Sequence, residues 1–201
     1  NRSELVRRNI TTVAFNLLEG ALIVFLVLLV FLGDVRAGLI TASVIPLAML
    51  FGFILMRLFD VSANLMSLGA IDFGIVVDGA IVILEGILAH IYMKERAGRT
   101  YTAEEMNLEV EAGAGKVVRS AAFAVLIILL VFCPILALTG IEGKEFTPMA
   151  KTLVFCIIGA LLLSLTYVPM MASLFLSRTV PVKPSLADRL FDRLRIWYRA
   201  P

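Results

Sequence analysis

Three carboxylates interrupt one of the apolar stretches of this sequence, between residues 66 and 90. They are Asp72, Asp78 and Glu85, and every other residue from 66 to 89 is uncharged. On insertion scales, a charged side chain at the centre of a membrane helix costs roughly 2.5–3.5 kcal/mol. Three such groups offset most of what the aliphatic neighbours contribute, so their presence indicates a function.

Helical spacing places two of these acids on one face. At about 100° and ~1.5 Å per residue, Asp78 and Glu85 lie within about 20° of one another and ~10.5 Å apart along the helix axis. Asp72 lies about 120° around the helix from Asp78. Loss of water disfavours the ionised form of a carboxyl group, and a nearby negative charge disfavours it further. The three acids can therefore take up and release protons near neutral pH, which favours a proton relay.

Two other readings of the acids remain open. Carboxylates are hard oxygen ligands, so the acids could form a path for cations. The axial separation of Asp78 and Glu85 is too large for both to hold one ion without further ligands. The acids could also pair with basic residues on other helices.

The remaining residues of this helix are sorted around the acids. Small residues let neighbouring helices approach closely, and Gly74, Gly79 and Gly86 lie beside the acids. We therefore expect the acids to point into a packed bundle or a water-filled crevice. The arc turned away from the acids is apolar and comprises Phe73, Val76, Val77, Ile83, Leu84, Ile87 and Leu88.

Composition identifies the class of protein that positions this helix. Of the 201 residues, 60% are hydrophobic, against about 45–50% apolar residues in an ordinary soluble domain. They gather in runs of about 20 residues, the length that crosses a ~30 Å hydrocarbon layer. We predict an all-α membrane protein, a polytopic transmembrane helix bundle. Its five spans fall at about residues 13–32, 39–59, 66–89, 120–138 and 153–176.

The segments between and after the spans carry the charges. Thr102 and Glu105 have the spacing of a helix capping pair within the charged segment 90–119. Residues 139–152 read as a loop. Residues 185–199 form a basic amphipathic pattern, which predicts a cytoplasmic helix in the membrane interface, with a helix on a soluble domain as the alternative.

The distribution of Lys and Arg predicts the orientation. Five spans place twelve of these residues on one face and six on the other. The positive-inside rule puts the richer face in the cytoplasm, with Asn1 in the periplasm and Pro201 in the cytoplasm. Because the sequence starts at Asn and stops after an amphipathic stretch, we expect a segment of a longer protein. The net charge of +2 gives no indication of nucleic-acid binding.

Several other classes fit the sequence less well. Cys133 and Cys156 lie in apolar runs and read as two small buried hydrophobes. Together with the single His90 they do not match the ligand pattern of a structural zinc site, and we expect no resident metal and no cofactor. An intramembrane aspartyl protease needs aspartates on two helices, whereas the intramembrane aspartates here share one. A purely structural membrane subunit, the remaining alternative, has no need of acids at three depths.

The residues around the acids resemble a known family. The stretch NLMSLGAIDFGIVVDGAIVILE at residues 64–85 is similar to the resistance-nodulation-division efflux pumps, in particular to their heavy-metal branch. NLLEGALIV at residues 16–24 and FLGDVRAGLI at residues 31–40 support the resemblance. It covers essentially the whole chain, which corresponds to membrane helices two to six of the first half of such a pump.

The resemblance assigns roles to individual residues. Asp78 matches the aspartate of the family's V-D-x-A core, and Glu85 matches the downstream glutamate. Asp72 matches an acid found in the divalent-metal pumps. Drug-exporting relatives carry a second aspartate where this chain has Gly79. Copper and silver pumps carry methionines at places that look like Val76 and Ile83 here.

The resemblance thus implies a function and partners. The function is proton-coupled efflux of divalent heavy-metal cations across the bacterial inner membrane, by a secondary transporter that is not an enzyme. An exporter of organic compounds or drugs is the alternative. The implied partners are membrane lipid, the periplasmic domains and second membrane half of the same polypeptide, two further copies in a homotrimer, a periplasmic adaptor and an outer-membrane channel.

Overall fold

A computed structural model describes residues 2–61, 73–94 and 100–177. The regular elements in these ranges are five α-helices. They are α1 (Arg2–Leu32), α2 (Val35–Leu58), α3 (Phe73–Lys94), α4 (Ala103–Leu136) and α5 (Gly140–Phe175). Helices α2 to α5 are long and apolar enough to cross a membrane, and α1 contains a shorter apolar stretch, Leu18–Val30. The all-α transmembrane bundle predicted from the sequence is confirmed.

Two predicted features fall outside the described residues. Asp72 directly precedes the first described residue of α3. The amphipathic segment 185–199 follows the last described residue of the chain. Both remain predictions.

Local side-chain contacts fix where the helices begin. The Asp34 carboxylate accepts a hydrogen bond from the Arg36 backbone N–H at 2.8 Å and caps α2. At the start of α4, the Thr102 hydroxyl accepts from the Glu105 N–H at 3.3 Å, and the Glu105 carboxylate accepts from the Thr102 N–H at 2.9 Å. This capping box confirms the pair predicted from the sequence. The charged segment after residue 102 is therefore helical and continues without interruption into the predicted fourth span.

The prediction of a loop at residues 139–152 is wrong. Helix α5 begins at Gly140, whose φ of +80° lets the chain reverse directly after α4. Glycine, proline and charged residues suggested a loop, yet Pro148 lies inside the helix. The Thr152 hydroxyl donates to the Pro148 carbonyl at 2.8 Å, a side-chain bond to the backbone beside the interruption. The helix simply extends beyond the apolar run into a polar segment.

Helix α3 lies at the centre of the bundle. It packs against α2, α4 and α5 and also contacts α1. All seven residues of the predicted apolar arc are buried there, which confirms that arc. Lipid is as apolar as the helix interior, so this burial adds little driving force between helices. Close van der Waals packing at small residues must hold the helices together instead.

The interface between α2 and α5 shows such packing. A Cβ atom added at Gly52 would lie 2.5 Å from the Cys156 sulfur, and one added at Gly159 would lie 2.6 Å from the Phe51 ring. Cys156 is buried, as the sequence predicted. Cys133 is exposed, so that half of the prediction is wrong. It lies on the apolar face of α4 that turns away from the other helices, where an apolar residue needs no cover from the chain itself.

Candidate functional site

The candidate site is the acidic side of α3. The helix is continuous from Phe73 to Lys94, so the seven residues between Asp78 and Glu85 correspond to about 10.5 Å along its axis and about 20° around it. The two acids therefore lie on one face at different depths, as predicted. Asp72, the third predicted acid, is not among the described residues.

Among the described helices, this side of α3 is the open one. Asp78 is exposed and Glu85 is partly exposed. Val82, Ala89 and Tyr92 are exposed as well, and they share the helix face of the two acids because the spacings are three and four residues. We call these five residues the acid face.

The expectation that the acids point into a packed bundle or a water-filled crevice stays a prediction. The neighbours of α3 pack onto its apolar arc and leave the acid face uncovered. The sequence argument identified the polar and apolar sides of the helix correctly, and the described helices pack on the apolar side. The neighbours approach from the apolar side because aliphatic side chains and glycines allow dense packing there.

Small residues next to the acids allow α4 and α5 to pack closely against α3. Gly79 follows Asp78 and faces α4 and α5, where an added Cβ would lie 3.3 Å from the Ser164 Oγ and 3.4 Å from Val125 Cγ2. Ser164 is buried, and its hydroxyl donates to the Ala160 carbonyl at 2.6 Å. This confirms the prediction that small residues beside the acids allow neighbouring helices to approach closely. Because Gly79 faces α4 and α5, Asp78, one residue earlier, lies about 100° around the helix from that contact.

Gly86 has the same role beside Glu85. A Cβ atom added at Gly86 would lie 2.5 Å from Val117 Cγ2 on α4. The backbone of α3 is therefore in close contact with the Val117 side chain of α4 one residue after the second acid. Both carboxylates are carried on a helix whose opposite side is packed without spare room.

The separation of the two acids defines their possible chemistry. Hydrogen bonds join donor and acceptor atoms at about 3 Å, well below the ~10.5 Å between the two positions along the axis. A proton cannot pass directly between them and needs water or polar side chains in between. Such groups can reach the acid face because it is open.

Sequence reasoning missed a second polar group at the other end of α3. His90 contacts both Glu109 and Lys116 of α4. The sequence interpretation placed these residues in a charged connecting segment. Glu109 and Lys116 are seven residues apart, which places them on one face of a helix. The sequence interpretation began the fourth span near residue 120, whereas the helix begins at Ala103, so this shared face was not identified.

Comparisons with known proteins match this chain over nearly its whole length. A sequence profile described as the AcrB/AcrD/AcrF family matches residues 1–200. The chain is 48% identical over 198 residues to the cobalt-zinc-cadmium resistance protein CzcA of Cupriavidus metallidurans. That match covers 98% of this chain and 18% of CzcA. The chain thus spans less than a fifth of the length of this relative.

Other relatives and a crystal structure give the same result. The nickel and cobalt resistance protein CnrA of Cupriavidus metallidurans is 45% identical over 181 residues, which are 90% of this chain and 17% of CnrA. The cation efflux system protein CusA of Escherichia coli K12 is 35% identical over 191 residues, which are 92% of this chain and 18% of CusA. A crystal structure of a heavy metal efflux pump superimposes with a TM-score of 0.72 at 42% identity, over 87% of this chain and 16% of that pump.

Proposed function

This chain belongs to the AcrB/AcrD/AcrF family, and on that premise we propose that it is the proton-relay segment of a pump that exports divalent heavy-metal cations. The pump exchanges the cations for protons across the bacterial inner membrane. Asp78 and Glu85 carry the protons, together with Asp72 at the start of the same helix. The segment is part of a secondary transporter and performs no enzymatic step of its own.

The observation that carries this proposal is the acid face of α3. Two carboxylates at different depths lie on the one side of a central helix that the described helices leave open. Facing lipid, each charge would cost roughly 2.5–3.5 kcal/mol. The acid face is therefore the side that meets the rest of the pump, including its second membrane half, or a water-filled path between them. Protons reach Asp78 and Glu85 through that contact.

The proton gradient supplies enough free energy for export. One proton crossing a potential of 100 mV releases about 2.3 kcal/mol. Each pH unit adds about 1.4 kcal/mol. Moving a divalent cation outward against the same potential costs about 4.6 kcal/mol, which the inward movement of two protons offsets. With two protons per cycle, each pH unit then supports a cation gradient of about two powers of ten.

Divalent cations are the substrate class best supported. CzcA and CnrA are named for resistance to cobalt, zinc, cadmium and nickel. Val76 and Ile83, which look like the places where copper and silver pumps carry methionines, are fully buried in the apolar arc. These two positions offer neither a soft ligand nor an open route. Gly79, where drug exporters carry a second aspartate, lies against Ser164.

The proposed topology agrees with the contacts at one end of the bundle. The Arg36 guanidinium donates to the Phe175 carbonyl at 3.4 Å, so the α1–α2 link and the end of α5 lie on the same side. The Lys and Arg count assigns this side to the cytoplasm. Asn1 then lies on the periplasmic side and Pro201 on the cytoplasmic side. In the complete pump we propose a homotrimer that works with a periplasmic adaptor and an outer-membrane channel.

Replacement of Asp78 by Asn in the complete pump tests the proposal. The protein is reconstituted in lipid vesicles with an imposed proton gradient, and the transport of Zn²⁺ or Co²⁺ is measured together with internal pH. Asp78→Asn keeps the size of the side chain but cannot exchange a proton, so we expect transport and proton movement to fall at least tenfold. Glu85→Gln should act in the same direction.

Asp60→Asn is the matched control. Asp60 is exposed beyond the end of α2 and has a φ of +54°, which asparagine tolerates well. This variant should transport at the wild-type rate. Wild-type transport by Asp78→Asn, at equal amounts of assembled protein, would refute the relay.

A further inference from the structure

His90 near the end of α3 lies between two charged residues of α4. The Lys116 Nζ is 2.9 Å from the His90 Nδ1. The Glu109 Oε2 is 3.0 Å from the His90 Nε2, a close charge–dipole approach rather than an aligned hydrogen bond. The side chains of His90 and Glu109 are only 13% and 14% exposed. We call these three residues the α3–α4 clamp.

The two helices are in close contact beside the clamp. Glu109, Gly113 and Lys116 follow one another at spacings of four and three residues and so share one face of α4. A Cβ atom added at Gly113 would lie 2.9 Å from the Ile87 Cα and 3.1 Å from the His90 Cβ. The imidazole ring is therefore held at a fixed position along α4, with a charge on either side.

The positions of Lys116 and Glu109 favour one tautomer of the His90 imidazole. A lysine ammonium has only donors, so the Nδ1 atom facing Lys116 must accept. The ring hydrogen of the neutral imidazole then lies on Nε2 and faces the Glu109 carboxylate. One positively and one negatively charged side chain flank the ring. The neighbouring polar groups lower the cost of placing the Glu109 carboxylate at a site that is only 14% exposed, whereas Lys116 is exposed.

The clamp holds the side of α3 that the acid face does not use. Glu85 and His90 are five residues apart, which is about 7.5 Å along the axis and about 140° around the helix. A rotation of α3 by about 20° would displace a carboxylate ~6 Å from the axis by roughly 2 Å, enough to break a hydrogen bond of about 3 Å. Proton transfer at the acid face thus depends on what fixes the rotation of α3.

We propose that His90, Glu109 and Lys116 are positioning residues of the pump, which set the rotation and depth of α3 and so place Asp78 and Glu85 for proton transfer. This role rests on the proposed function of the acid face. The three residues do not carry protons between the two sides of the membrane. Their contribution is the fixed contact between the acid helix and α4.

A charge swap in the complete pump tests the clamp. Glu109→Lys puts an ammonium on both sides of His90, so the ring loses the carboxylate that faces its Nε2. Adding Lys116→Glu restores one positive and one negative charge in reversed order, which the other tautomer of the imidazole accommodates. Glu111→Lys is the control, because it makes the same charge change at an exposed position two residues from Glu109.

The readout is the kcat and KM of Zn²⁺ transport per assembled pump in vesicles with an imposed proton gradient. We expect Glu109→Lys to lower kcat about tenfold, equivalent to about 1.4 kcal/mol, without a change in KM. The double variant should recover to within twofold of wild type, and Glu111→Lys should match wild type. A loss of folding would reduce the amount of assembled pump rather than the kcat of each pump.

Three results would overturn the clamp: a kcat of Glu109→Lys equal to that of Glu111→Lys, a double variant no faster than the single one, or a change confined to KM. If Glu109→Lys does not assemble, Glu109→Gln replaces it, with a smaller fall in kcat expected and an unchanged kcat counting against the clamp. Asp78→Asn is measured in parallel. Wild-type transport by that variant refutes the proton relay, whereas the charge swap alone decides on the clamp.

Discussion

Replacement of Gly113 by Ala should loosen the contact between α3 and α4. The added methyl carbon would lie 2.9 Å from the Ile87 Cα, a backbone atom, and 3.1 Å from the His90 Cβ. Carbon atoms in contact prefer separations of about 3.5–4.0 Å, so the helices must move apart by roughly 0.6–1.1 Å. Forcing an extra methyl into a packed site costs about 1–3 kcal/mol.

Gly115 provides a matched control two residues away on the same helix. A Cβ atom added there meets nothing within 4 Å. Gly→Ala inside a helix stabilises it by roughly 0.5–1 kcal/mol through backbone entropy, and both variants share this gain. The difference between Gly113→Ala and Gly115→Ala therefore isolates the packing cost of about 1–3 kcal/mol.

Amide hydrogen exchange of the complete pump in lipid measures this difference. The free energy of local opening in the facing parts of α3 and α4 should be lower in Gly113→Ala by the packing cost, so exchange there should be roughly 5- to 150-fold faster than in Gly115→Ala. Exchange in α2 should be equal in the two variants. Equal protection of α3 in both variants would show that the helices are not in backbone contact at Gly113 and would refute the reasoning.

Two further substitutions test the packing and the capping of α4 by the same exchange measurement. Gly86→Ala puts a methyl 2.5 Å from Val117 Cγ2, and the stiff β-branched side chain cannot turn away, so we expect a loss of about 1–3 kcal/mol. Adding Val117→Ala should restore more than half of that loss, and a double variant as weak as Gly86→Ala would contradict the contact. Thr102→Ala removes the capping box and should lower protection of the first turns of α4 by about 0.5–2 kcal/mol. Thr102→Ser keeps the hydroxyl, so equal protection in the Ala and Ser variants would show that the cap does not stabilise the helix.

The sequence predicted those features that depend on neighbouring residues. The length of the apolar runs predicted transmembrane helices, and α2 to α5 have that length and composition. The three-to-four residue period separated the acids of α3 from its apolar arc, all of which is buried. The spacing of Thr102 and Glu105 predicted the capping box. Each of these properties is decided within a few turns of one helix.

Local rules gave a wrong prediction where the backbone conformation was inferred from amino-acid composition alone. Gly, Pro and charged residues made residues 139–152 look like a loop, but α5 begins at Gly140 and includes Pro148. Proline removes one backbone hydrogen bond of a helix, and the surrounding turns can retain the helical path when neighbours satisfy the freed group. Hydropathy marks where a helix can enter lipid and does not mark where the helix begins.

By itself, the sequence determined that this protein has an acidic helix among apolar ones, and it determined which side of that helix carries Asp78 and Glu85. Only the tertiary structure decided that the neighbouring helices pack behind the acids and leave them open, and that His90 meets Glu109 and Lys116. The physical reason is the range of the interactions. Helical periodicity orders residues a few positions apart, whereas the cover of a helix face depends on contacts between residues such as Gly79 and Ser164, far apart in the chain and brought together by folding.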